Sequence, residues 1–145
     1  MRRLALLSFV LAAACGIFHR DNFHEAQQLV DSVVQRYPDI VRLTIHATPS
    51  GESACRVIAS TNAARLGTSS DPEDLDALRT GEPVVLEEPD GLDVTVPVLP
   101  LDGKHTAVVG VTLSKPVDTV KGIERAKHIA KAIADAARSQ PIPLW

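Results

Sequence analysis

Apolar side chains recur at Ala26, Leu29, Val30, Val33, Val34 and Tyr37, the spacing of one face of a helix that begins near Asp21. Pro38 ends it, because proline disfavours helical backbone in the residue before it. From Ile40 to Ala47 the period changes to two. Val41, Leu43, Ile45 and Ala47 alternate with Arg42, Thr44 and His46, which predicts a half-buried strand. Thr48-Pro49-Ser50-Gly51-Glu52 makes a turn, and Cys55 to Ser60 returns as the second strand of a hairpin. Thr61 to Ser70 has no clean period and reads as a loop.

Ser70-Asp71-Pro72-Glu73 starts a short helix, with a capping residue, proline in the first turn and acids near the positive end. Gly81 and Pro83 close it. Three strands follow: Val84 to Glu88, Asp93 to Leu99 and the most apolar, His105 to Leu113, joined by turns at Glu88-Pro89-Asp90-Gly91 and Pro100-Leu101-Asp102-Gly103. A final helix runs from about Val117 to Arg138, with Val120, Ile123, Ala126, Ala130, Ile133, Ala134 and Ala137 on one stripe. No internal repeat interrupts this order. The order α-β-β-α-β-β-β-α predicts an α+β fold, a five-stranded antiparallel sheet with flanking helices.

The first residues belong to a different pattern. Arg2 and Arg3 precede an apolar run from Leu4 to Leu11, and Ala12, Ala13 and Ala14 supply the small residues of a cleavage site. The run is far shorter than the roughly twenty residues that span a bilayer. Residues 1–14 therefore read as a signal peptide, 15–20 as a linker, 21–139 as one domain and 140–145 as a tail. Leu11-Ala12-Ala13-Ala14-Cys15 resembles a bacterial lipobox, which makes Cys15 the expected lipidation site and the protein a periplasmic, membrane-anchored lipoprotein. Read as a plain Ala-x-Ala site, the same residues leave a soluble periplasmic protein. With Cys15 lipidated, Cys55 is expected to be a small buried hydrophobe; otherwise an oxidising compartment permits a Cys15–Cys55 disulfide.

Composition narrows the function. The chain has 15 Lys and Arg against 18 Asp and Glu, and loss of Arg2 and Arg3 with a leader makes the remainder more acidic. Nucleic-acid binding, which needs a clustered basic surface, is not expected. The five histidines have no metal-ligand spacing, and no Cys-x-x-Cys exists, so neither a metal nor a cofactor is expected. Glu87, Glu88, Asp90 and Asp93 read as a solvated hairpin, lacking an EF-type loop. No Gly-x-Ser-x-Gly elbow is present, and no catalytic residues are assigned.

Between Val57 and Leu113 several segments resemble a known family. They are Val57-Ile58-Ala59-Ser60-Thr61-Asn62 with Arg65-Leu66-Gly67, Asp71-Pro72-Glu73-Asp74-Leu75 with Leu78-Arg79-Thr80-Gly81-Glu82-Pro83, and the strand pair Val94–Val98 and Val108–Thr112. In an exported chain they resemble a single Cache-type sensor domain of the extracytoplasmic PAS-like group, with the opening helix as the long one along the sheet. The resemblance implies a non-enzymatic domain that binds a small organic ligand, a carboxylate among the possibilities, between the sheet and its loops. Arg65 would offer a bidentate fork, with Thr68, Ser69 and Thr95 adding hydroxyls. The alanines of the last helix (Ala126, Ala130, Ala134, Ala137) either pack on their own sheet or admit a second helix in a homodimer or signalling partner. The alternative function is a non-enzymatic interaction module on a roadblock/profilin-like scaffold in the periplasm.

Overall fold

The computed structural model describes residues 23–49, 51–98 and 107–140. The leader, Cys15, His19, His105 and the turn at 100–103 lie outside the described residues. Helix α1 (Phe23–Arg36) is followed by strands β1 (Ile40–Ala47) and β2 (Arg56–Ser60), helix α2 (Pro72–Thr80), strands β3 (Val84–Glu87), β4 (Gly91–Val98) and β5 (Ala107–Ser114), and helix α3 (Thr119–Arg138). All strands pair antiparallel in one sheet of order β2-β1-β5-β4-β3. This is the α+β architecture that the alternating strands imply.

One face of the sheet makes the core. Leu43 and Ile45 of β1, Val94 and Val96 of β4, and Val109 and Val111 of β5 point to it and are buried. Helix α1 covers its β1–β2 side and α3 its β4–β5 side. The buried Ile129 and Ile133 of α3 each contribute roughly 1.5–3 kcal/mol by leaving water. Ala126, Ala130 and Ala134 are buried on this same face, so the alanine stripe is consumed by the protein's own sheet. The stripe is also rotated from the sequence expectation: Val120 is 70% exposed and Ile129 is fully buried. Val120 stands in the first turn, just after the Asp118 cap, before the helix reaches the sheet. Of the two long helices, α3, not α1, is the longer over the described residues.

The second face departs further from expectation. In β1 five consecutive residues, Leu43 to Ala47, are buried, where the alternation predicts burial on one side only. The reason is α2, which lies across β3, β4 and β5 on the face that α1 and α3 leave free, together with Ser60 and Ser70, which cover Thr44 and His46 of β1. The segment 61–70 is likewise more ordered than its lack of period suggests. Asn62 accepts from the Ala64 N–H and opens a 3-10 turn at Ala63–Arg65; Gly67 (φ +76°) then turns the chain back along β2. Val57 donates to Thr68 O and Gly67 donates to Val57 O, closing that return.

Two local features set strand lengths. β4 begins at Gly91 because Gly91 and Glu88 exchange backbone hydrogen bonds, leaving only Pro89-Asp90 in the turn. A Cβ at Gly91 would stand 2.8 Å from the Leu113 carbonyl oxygen, so the strands approach there as only glycine permits. β3 begins at Val84 opposite Thr95, and Pro97 therefore occupies a part of β4 without a β3 partner, where its missing N–H is tolerated.

Candidate functional site

The second face carries Arg42, Thr44 and His46 from β1, Asp93 and Thr95 from β4, and Gly110 and Thr112 from β5. On a strand covered by a helix these positions are ordinarily apolar. Here α2 meets them with a carboxylate. Asp74, 5% exposed, accepts from Thr95 Oγ1 at 3.1 Å through Oδ1 and from the Asp71 backbone N–H at 3.0 Å through Oδ2. The second bond is one half of a capping box, so the residue that starts the helix also seats it on the sheet. The same Oδ2 lies 3.2 Å from His46 Nδ1, and Ser70 Oγ lies 3.0 Å from that nitrogen.

Seated this way, α2 encloses a cavity of about 140 Å³ above the sheet. Thr44, His46 and Gly110 form its floor, and charged side chains form its walls: Arg42 and Arg65, with Asp71, Glu73, Asp74, Glu88 and Asp93. Arg42 donates to Glu88 Oε1 at 2.9 Å and stands 3.6 Å from Asp93 Oδ1, which also accepts from Thr112 Oγ1 at 2.6 Å. Arg65 donates to Asp71 Oδ2 at 2.7 Å. A Cβ at Gly110 would meet nothing closer than 4.0 Å, so the glycine leaves real space at the floor.

The His46–Asp74 contact has the distance of an ion pair, yet burial argues the other way. His46 is 3% exposed and its pKa falls to about 4, first because burial removes water from the imidazolium and then because Arg65 repels it. Burial also pushes the Asp74 carboxyl up, against the hydrogen bonds that favour its charged form. The imidazole is therefore neutral, and because both Asp74 oxygens already accept hydrogen bonds, Nδ1–H donates to a carboxylate. Cys55 stands half-buried just before β2, a free thiol that accepts from Ser70 Oγ at 3.2 Å, and burial raises its pKa.

The four residues singled out as ligand contacts separate. Arg65 and Thr95 lie at the second-face site, Arg65 on the cavity wall and Thr95 under Asp74. Thr68 and Ser69 are exposed: Thr68 Oγ1 donates to Arg65 O, and Ser69 bridges to Arg56 at the sheet edge. Glu88 and Asp93 hold Arg42 instead of forming only a solvated hairpin. Cys55 is not a strand residue but a neighbour of the site. His46, Asp74 and Gly110 carry no motif in the sequence. For His46 and Gly110 the available signal is a run of polar or glycine positions at alternate residues in three neighbouring strands; Asp74, on α2, has none.

A larger groove of about 440 Å³ lies at the far end of the sheet, between Pro83, Val96 and α3. It is more apolar, and its rim cations Lys127 and Lys131 are paired with Glu124 and Asp135. β4 leaves it at Val98, where residues 99–106 lie outside the described residues. Among the described residues no group of three or more His, Cys, Asp or Glu is arranged to hold a metal ion.

No protein-family model matches the chain, and no curated protein matches it. Solved structures do. The second GAF domain of DevS from Mycobacterium smegmatis superposes with a TM-score of 0.60 at 13% identity, covering 80% of this chain and 92% of that one. Type II free methionine-R-sulfoxide reductase from Thermoplasma acidophilum gives 0.56 at 13% identity, with 79% and 94% covered. The GAF domain of an Acinetobacter phosphoenolpyruvate-protein phosphotransferase gives 0.54 at 18% identity, with 84% and 87% covered. At these identities the likeness concerns the fold, which is PAS-like and of the GAF kind. This corrects the Cache resemblance: the similar structures are GAF domains. The order of helices and strands along the chain does not encode which sheet face each helix covers, and so could not separate the two.

Asp74→Ala is expected to cost about 3 kcal/mol in urea unfolding, since it strands the Thr95 hydroxyl and the Asp71 N–H and leaves His46 Nδ1 with Ser70 alone. His46 binds fewer protons folded than unfolded between its ordinary 6.5 and about 4. Its contribution is therefore complete above pH 6.5 and is lost as pH falls towards 4, by up to about 3 kcal/mol. The raised pKa of Asp74 works in the opposite direction, and Asp39, lowered by Arg125, weakens the fold only below 3.8. Unfolding free energies at pH 7 and 4.5 should fall less in His46→Gln than in the unaltered protein.

Proposed function

We propose that the chain is a small-ligand-binding sensory domain that works by binding, not by catalysis, with its site in the second-face cavity. One observation carries this reading. A polar cavity lined by charged side chains is built between α2 and the central strands, where apolar packing would be more stable. Burying such groups costs free energy unless each is paired, and a fold that keeps them has a use for them. The GAF likeness supports the same reading at the level of fold. The cavity is below the roughly 300–1,000 Å³ of drug-sized sites, so its ligand is a small metabolite. Arg65 and Thr95 belong to its wall and support.

One similar structure is an enzyme by name, a methionine sulfoxide reductase, and Cys55 stands beside the site. Redox chemistry at sulfur needs a thiolate, and burial holds the Cys55 thiol in the protonated form. Binding is therefore the better-supported use of this site. We also propose export and tethering through Cys15, resting on residues 1–15 alone: the basic pair, the short apolar run, three alanines and the cysteine.

A thermal-shift screen of the protein against organic acids, amino acids and amines tests the binding reading. At least one compound should raise Tm by mass action, and Gly110→Val, which fills the floor, should abolish the shift while leaving the protein folded. Silence across the library would favour an interaction module on this scaffold. Tethering predicts that Cys15→Ser moves the protein from the membrane fraction to the soluble one; retention in the membrane would reject lipidation.

A further inference from the structure

We propose that the second-face cavity takes a small organic cation bearing N–H donors, an alkylammonium or an amidinium, and not a carboxylate. The inference rests on the ligand-binding reading above and narrows its substrate class.

Charge is the first ground. Five carboxylates and two guanidiniums line the cavity, and both guanidiniums are occupied, Arg42 by Glu88 and Asp93, Arg65 by Asp71. Asp74 is engaged by α2 and Thr95. Glu73 remains, half-buried on the wall with no hydrogen bond or ion pair among the described residues. Each guanidinium keeps further N–H donors, but an entering carboxylate would meet them among carboxylates that outnumber the cations by three and repel it. An entering cation finds a carboxylate already waiting.

His46 is the second and independent ground. Ser70 gives its proton to the Cys55 sulfur, so its oxygen is an acceptor towards His46 Nδ1, and the Asp74 carboxylate is another. The ring hydrogen therefore resides on Nδ1, and Nε2 presents a lone pair. The side chain is 97% buried, lines the cavity, and has no described partner at Nε2. Nε2 is not sealed from water, and what complements an acceptor open to the cavity is a donor. A ligand N–H placed on Nε2 with its charge towards Glu73 satisfies both, over a floor that Gly110 keeps open.

Isothermal calorimetry and thermal shift on the full chain, at fixed ionic strength, test this with 1,4-diaminobutane and agmatine against succinate and benzoate. The amines should bind and raise Tm, and the acids should not. Glu73→Gln should weaken amine binding about tenfold or more with an unliganded Tm close to that of the unaltered protein, because the side chain has no hydrogen bond or ion pair to lose among the described residues. Gly110→Val should abolish binding, and Glu124→Gln on the exposed side of α3 should leave it unchanged. Acids binding in place of amines, with loss in Gly110→Val, would overturn the cation and keep the site. Calcium or magnesium binding more tightly than the amines, or amine binding indifferent to both cavity variants, would also overturn it. No binding by either class would instead reject the ligand-binding reading itself.

Discussion

Asp74 sits in the first turn of α2 with one oxygen on the helix's own opening N–H and the other on Thr95 of β4, while His46 of β1 approaches from below. Three elements far apart in sequence thus meet at one buried carboxylate. A nine-residue helix has little stability of its own. Its position comes from tertiary contacts, and on this face they are chiefly polar. Without Asp74, α2 would have only Ala77 fully buried among its side chains to hold it to the sheet. The negative charge also lies at the positive end of the helix, which offsets part of its desolvation.

The two faces of the sheet divide the work. On the core face, α1 and α3 bury a continuous apolar layer, and the stripe of small residues lets α3 lie close to β4. Arg125 reinforces this from the rim: it donates twice to Asp39 at 2.8 Å and stacks over Tyr37, tying α3 to the corner between α1 and β1. The edge strand β2 is finished by Gln27, whose amide both donates to and accepts from the Ser60 backbone in place of a neighbouring strand. With stability supplied there, the second face tolerates a cavity lined by charged side chains.

The strands were legible because period-two alternation is a local signal, and Leu43, Ile45, Val94 and Val96 point to the core as their alternation requires. Burial of the partner face was not, because Arg42, Thr44 and His46 look the same whether water or a helix covers them. What decides is Asp74, and in the sequence it is one acid among several near a proline. Arg65 could be singled out as a charged residue in a loop after a strand, but its pairing with Asp71 depends on the 3-10 turn that Asn62 opens. The phase of α3 was misread by the inclusion of Val120, since an apolar residue beside a cap fits a stripe that the sheet does not reach. The GAF kind of fold is a matter of three-dimensional arrangement and left no motif to read.

The central claim is the location of binding, and the larger groove beside α3 competes with the second-face cavity for it. Amide chemical-shift mapping of the protein with 1,4-diaminobutane distinguishes them directly. The account predicts that the shifts concentrate on Thr44, His46, Thr95, Gly110 and the first turn of α2. Shifts concentrated instead on Val96, Lys127 and Lys131, at the larger groove beside α3, would contradict it.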